Sequence, residues 1–126
     1  MRHVVAGPPG SGKSTLVQER ASKGALVWDY DAIASTMTRC PMWEHADDLV
    51  PYLSAMRDAL IFELVRAPRE AWIISCNREA GEKMARRLRA ELIVMETSEE
   101  ECVRRVQARP GAIAGSLEAI RAWFQR

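Results

Sequence analysis

Short apolar runs alternate with helical patterns along this chain. Four of the runs read as strands: RHVVA (2–6), ALVWD (25–29), AWIIS (71–75) and ELIVM (91–95). Each is near-continuously apolar, the pattern of a strand covered on both faces. Between them the spacing lengthens to that of helices, predicted over 13–22, 47–65, 78–90 and 116–124. A further helix takes Thr97 or Ser98 as N-cap, carries acids in its first turn and stops at Pro110-Gly111. Leu49, Leu53, Met56, Leu60 and Leu64 form the apolar stripe of the 47–65 helix. Met84, Ala85 and Leu88 face inward from 78–90, and Leu117, Ile120, Trp123 and Phe124 do so from 116–124. Strands alternating with helices predict an α/β fold, a parallel sheet covered by helices. The least regular stretch is TMTRCPMWEHA (36–46), a packed connection or a substrate flap.

At 126 residues the chain suits one compact domain, expected to span 1–126. Hydrophobic residues at 48% and charged residues at 28% are ordinary for a folded globular chain and argue against disorder. Eighteen Lys and Arg stand against 17 Asp and Glu, a net charge of +1 that names no partner. Binding to nucleic acid chiefly through phosphates usually brings a basic excess, so that partner is unsupported, although a local basic groove fits within the balance. Cys40, Cys76 and Cys102 are far apart and form no CxxC pair. They read as reduced thiols rather than a disulfide framework or a zinc site. No apolar run approaches the ~20 residues that span a bilayer, and the opening residues lack a secretory leader pattern. The expectation is a cytoplasmic protein without a membrane partner.

Residues 6–15, AGPPGSGKST, carry the chemistry. Gly7, Gly12, Lys13 and Ser14 satisfy G-x-x-x-x-G-K-[ST], with an apolar strand before and a helical pattern after. Such a loop, Gly7-Pro8-Pro9-Gly10-Ser11-Gly12, turns backbone N–H groups and a helix start toward an anion. Lys13 supplies a point charge between the β- and γ-phosphates of ATP or another nucleoside triphosphate. Ser14 is the candidate Mg²⁺ ligand, and Thr15 helps hold the phosphates. A glycine turn that binds nothing would not require a lysine followed by a hydroxyl.

VWDYDAIA places Asp29 and Asp31 at the C-terminal end of the second strand, the edge where open α/β sheets bind ligands. A carboxylate there can take the proton of an acceptor hydroxyl and aim its oxygen at the γ-phosphate. Asp31 is the first candidate for this base and Asp29 the second; the alternative for Asp31 is a helix N-cap. Arg105 and Arg109, four apart, share a helical face, while Arg104 points about 100° away. The pair either neutralises transition-state charge or forms ion pairs with Glu100 and Glu101.

With these residues the chain resembles the small P-loop kinases, especially the branch holding the kinase domain of phage polynucleotide 5'-kinases and the compact AAA_33-type ATP-binding domains. The resemblance spans about residues 2–110. It rests on Gly7 to Thr15, Asp29 and Asp31, Asn77, and the spacing Glu101, Arg105, Arg109. It implies a three-layer P-loop NTPase fold with four strands in the order 2-3-1-4 and helices on both faces. The implied activity is ATP-dependent, Mg²⁺-assisted transfer of the γ-phosphoryl group to a hydroxyl of a nucleotide, a polynucleotide 5' end or a small metabolite. The alternative is a P-loop ATPase or nucleotide-dependent interaction module whose acceptor is water. Two departures stand out. Polynucleotide kinases carry an acceptor-gripping Arg three positions after the catalytic Asp, where this chain has Ala34, with Arg39 as a stand-in. The third strand lacks a Walker B Asp and offers Ser75, Cys76 and Asn77 instead. About thirty residues follow the fourth strand, little room for a large lid; an open site suits a bulky acceptor or, equally, hydrolysis.

Other residues are expected to be structural. His3 and His45 lack catalytic partners, and Trp28, Trp72 and Trp123 belong to core elements. Trp43 either anchors its loop or stacks a base. The 78–90 helix, with Arg78, Lys83, Arg86, Arg87 and Arg89, is a solvated face or a phosphate track.

Overall fold

The computed structural model describes residues 1–41, 47–111 and 113–125. Met42, Trp43 and His45, and the reading of them as flap, stacking or surface residues, lie outside this range.

Strands β1 (Arg2–Ala6), β2 (Leu26–Trp28), β3 (Ala71–Ser75) and β4 (Glu91–Val94) form one parallel sheet in the order β2-β3-β1-β4. The register pairs Val4 with Ile73 and Leu92, which puts β1 and β3 at the centre. Every residue of β3 is buried, as the apolar run predicts. The outer strands differ from that expectation: Val27 on β2 is 44% and Leu92 on β4 36% exposed. An edge strand has a neighbour on one side only, and its last side chains reach solvent.

The connections follow from handedness. From β1 the chain passes through α1 (Lys13–Arg20) outward to β2, then through α2 (Tyr30–Thr38) and α3 (Val50–Arg66) back to β3. These moves run in opposite directions, so right-handed crossovers place α1 on one face and α2 with α3 on the other. α4 (Arg78–Leu88), leading to β4, moves the same way as α2–α3 and joins their face. The cores agree. Val5, Ile74 and Trp72 pack with Val17 of α1, whereas Val4, Ile73 and Trp28 pack with Ala34, Leu53, Leu64, Met84 and Leu88. α5 (Glu99–Gln107) and α6 (Ala114–Phe124) close a third cluster around Cys102, Val106 and Ile120. A fully buried side chain such as Leu53 or Ile61 contributes about 1.5–3 kcal/mol.

Three local expectations are corrected and one open alternative is resolved. α2 replaces the start of the irregular 36–46 stretch; Ile33, Ser35, Thr36 and Thr38 are weak helix formers, and burial of Ala34 supplies what propensity lacks. In α3 a short 3₁₀ turn (Asp47–Leu49) precedes the helix, and the stripe runs through Leu53, Ile61 and Leu64 while Met56 is 41% exposed. Phe124, the second-last residue described, is exposed rather than core. Ser98, not Thr97, caps α5, accepting from the Glu101 N–H at 3.2 Å. Trp28, Trp72 and Trp123 are buried as expected. His3 has a packing role: it stacks on Trp72 at 3.9 Å, with Glu91 2.7 Å away.

Candidate active site

The loop after β1 and the residues after β3 flank the point where the sheet's connections diverge, the crevice in which such sheets bind ligands. Gly10 and Gly12 shape it, with φ of 80° and 92°. A Cβ on Gly10 would lie 2.6 Å from the Cys102 carbonyl oxygen, so α5 packs directly on the loop. Gly12 is the N-cap of α1 and, lacking a side chain, leaves the helix's first N–H groups without a side-chain cap. By contrast, Asn77 caps α4 and Ser98 caps α5.

The loop's carbonyls are engaged within the protein. Pro8 accepts from Lys13 Nζ at 2.8 Å and from the Ser11 N–H at 3.2 Å. Gly10 accepts from Arg105 at 3.1 Å, and Ser11 from Thr97 Oγ1 at 2.8 Å. Lys13 is 7% exposed, a buried cation, and Ser11 Oγ is buried without a hydrogen-bond partner among the described residues. A buried cation, an orphaned hydroxyl and an uncapped helix start suit a polyanion. Among the described residues no three His, Cys, Asp or Glu side chains converge. The oxygens at the loop are Ser14 Oγ and, bonded to it, Asp29 Oδ2, a donor set of the kind Mg²⁺ takes alongside phosphates and water.

β2 delivers the acids. Asp29 is the backbone N-cap of α2, yet its side chain turns to the loop and accepts from Ser14 Oγ at 3.1 Å. Asp31 is the second residue of α2, so it is not the N-cap that the sequence left open. Both line the cleft. Arg109 faces Asp31 and Cys76: burial pushes its pKa below the usual guanidinium value, and those two groups oppose the shift. It remains a cation at neutral pH. Arg105 forms the ion pair of the second reading, bonding Glu101 at 3.0 Å, and also donates to the Gly10 carbonyl at 3.1 Å. Arg104 turns away onto Glu101, whose carboxyl is held below its ordinary pKa mainly by that bond.

Ala34 is fully buried in the core, so no arginine fits there. Arg39, the suggested stand-in, ends α2 in a left-handed conformation and does not line the cleft. Asn77 does line it, while its side chain accepts from the Ala80 N–H at 2.9 Å. On α4, Arg78 pairs with Glu82 and Lys83 with Glu79, as a solvated face would. Cys102 is buried, which pushes its thiol pKa up.

Sequence reasoning missed three contributors: Thr97 behind the loop, Met95 beneath it and Arg57 in the cleft wall. Arg57 carried a legible signal, since it interrupts the apolar stripe Leu53, Ile61, Leu64 with a charge. The cleft encloses about 1520 Å³, beyond the ~300–1,000 Å³ of a single small-ligand pocket. No helix among the described residues is long and apolar enough to cross a membrane.

Solved structures share this architecture. Shikimate kinase from Acinetobacter baumannii, in complex with shikimate, superposes with a TM-score of 0.60 at 16% identity, over 96% of this chain and 72% of that one. TT1252 from Thermus thermophilus gives 0.51 at 25% identity, over 97% and 77%. No curated protein matches the sequence. The family described as AAA_33, AAA domain, matches residues 3–126, a span that includes the loop from Gly7 to Thr15. The chain therefore belongs to the AAA_33 family and carries its P-loop kinase-like α/β fold.

Proposed function

We propose that this protein is a phosphotransferase that moves the γ-phosphoryl group of ATP to a hydroxyl acceptor. One observation carries the reading: a carboxylate, Asp31, and a guanidinium, Arg109, line the same cleft as an uncapped phosphate loop. An acid beside the phosphate loop suits an alcohol acceptor, whose proton needs a base as the oxygen attacks.

In this reading the α1 N–H groups and Lys13 hold the β- and γ-phosphates. Ser14 would hold Mg²⁺, with Asp29 positioning the Ser14 hydroxyl. Bound Mg²⁺ would neutralise phosphate charge. The acceptor oxygen forms a bond to the γ-phosphorus as the bond to the β–γ bridging oxygen breaks. Asp31 takes the hydroxyl proton, and ADP leaves. Arg105 and Arg109 balance the charge that spreads over the transferring group.

Transfer of label from γ-labelled ATP to a panel of nucleosides, hydroxy acids, sugar phosphates and 5'-hydroxyl oligonucleotides tests this. Label should appear in an organic acceptor, and Asp31→Asn should cut the rate roughly 10²–10⁴-fold. Label found only as free phosphate, and unaffected by Asp31→Asn, would return the protein to the ATPases.

A further inference from the structure

α3 is apolar on two faces, and the fold uses one of them. Leu53, Ile61 and Leu64 are buried in the core. Yet five of the ten large apolar side chains exposed among the described residues, Val50, Tyr52, Met56, Phe62 and Val65, belong to this same helix. Tyr52 is 69% and Phe62 52% exposed. Apolar surface gathered on one element in this way marks an interaction site more often than scattered exposure does. The outward residues also have an order. Asp48 in the 3₁₀ turn, then Tyr52, Ala55, Ala59, Phe62 and Arg66 on α3, all exposed, follow one another at alternating steps of four and three. At about 100° per residue, the five on the helix lie within about 80° of one another, opposite the buried face. That spacing is the seam of a two-stranded coiled coil. From either end the seam reads alike: a charge, an aromatic ring, an alanine, with the two end charges opposite in sign.

We propose that this face of α3 is a self-association surface: it packs on α3 of a second copy of the chain, antiparallel, about a two-fold axis midway between Ala55 and Ala59. In that register Tyr52 meets Phe62 of the second copy, Ala55 meets Ala59, and Asp48 meets Arg66, each contact occurring twice. The alanines let the axes approach at the lower end of the about 8–10 Å usual for packed helices. Arg66 is placed for its part, lying over Phe62 at 5.5 Å from the ring centroid. Its bond to Glu63 uses Nη1, one group of a five-donor fork. Parallel pairing would instead set Arg66 against Arg66 and Asp48 against Asp48, which repel. A foreign helix requires no symmetry in the surface it meets, whereas a two-fold interface requires a self-complementary one. A lipid surface fits poorly, because small alanines fill the centre and the acids Asp58 and Glu63 flank it. Arg57, which lines the cleft, points about 180° from the seam, so pairing leaves both clefts open.

Sedimentation equilibrium of the chain from micromolar to millimolar concentration tests this. The mass should rise with concentration from 14.2 kDa to twice that value. Ala59→Glu, which forces a charge into the crossing point, should weaken association about 100-fold or more. Phe62→Gln, which removes a ring and adds no charge, should weaken it about tenfold or more. Both positions are exposed in the single chain, so thermal unfolding at low concentration should match the wild type and controls for the fold. Asp48→Arg and Arg66→Asp should each weaken association about tenfold, and the double variant should recover the wild-type constant, a rescue that only the antiparallel register supplies. A chain that keeps its single mass at millimolar concentration overturns the proposal. So does a dimer that tolerates Ala59→Glu and Phe62→Gln, since it would use another surface. Single charge swaps without effect, or a double swap without rescue, overturn the two-fold register.

Discussion

Ser14 Oγ donates a hydrogen bond to Asp29 Oδ2 at 3.1 Å, linking the end of the phosphate loop to the end of β2. The bond joins residues 15 positions apart, one in the first turn of α1 and one just past β2, a strand that β3 separates from β1 in the sheet. It puts a carboxylate beside the hydroxyl that would ligate Mg²⁺, in a chain whose β3 ends in Ser75, Cys76 and Asn77 rather than an acid.

Asp29→Asn should therefore raise the Mg²⁺ concentration at half-maximal activity about tenfold or more, the usual cost of losing a group that orients a metal ligand. Ser14→Ala should raise it further, and the double variant should be no worse than Ser14→Ala alone. Magnesium titrations of turnover in the three variants measure this; additive effects would mean that the two residues act independently.

Gly10→Ala should destabilise the fold by about 2–4 kcal/mol, combining left-handed strain with a Cβ forced against backbone. The contact is the Cys102 carbonyl, 2.6 Å away, which cannot swing aside as a side chain would. Urea unfolding reads the loss. Gly24→Ala, at a φ of 88° but in open space, isolates the strain alone and should cost less.

Thr97→Val keeps the side chain's shape and removes the hydroxyl that bonds the Ser11 carbonyl. Stability should fall by about 1 kcal/mol. Calorimetry with Mg-ATP should also show weaker binding, because the loop loses a brace from behind. Full affinity with reduced stability would confine Thr97 to the fold.

Glu70 supplies a pH dependence. Its carboxylate accepts from the Ser22 N–H at 2.9 Å and from Trp72 Nε1 at 3.0 Å. These bonds, the backbone one foremost, lower its pKa from 4.5 to about 2. A depressed carboxylate pKa means stabilisation that is complete above about 4.5 and lost as pH falls toward about 2. The stability gap between the wild type and Glu70→Gln should thus be present at neutral pH and close across that window. Unfolding curves at several pH values would reveal a constant gap if the hydrogen bonds, rather than the charge, were responsible.

Much of the molecule was legible in its residues because the signals are local. The phosphate loop needs particular φ angles and a particular lysine, and β1 and β3 carry the near-continuous apolar runs of central strands. Ser98 and Asn77 cap helices in ways a short window can reveal. Where the signal was contested, local reading stopped. α2 is built of weak helix formers held by the core beneath them, and Asp29 and Asp31 differ only in which way a turn sends them.

By itself, then, the sequence determined the strand–helix alternation, the anion-binding turn and the chemistry available to it, since each depends on backbone angles and side-chain period within a few residues. The tertiary structure alone decided that Asp29 meets Ser14, that Arg109 comes within electrostatic reach of Asp31, that Thr97 braces the loop and that Arg57 joins the cleft wall. Those meetings depend on crossover handedness and on which helix faces the sheet, and no stretch of neighbouring residues encodes them.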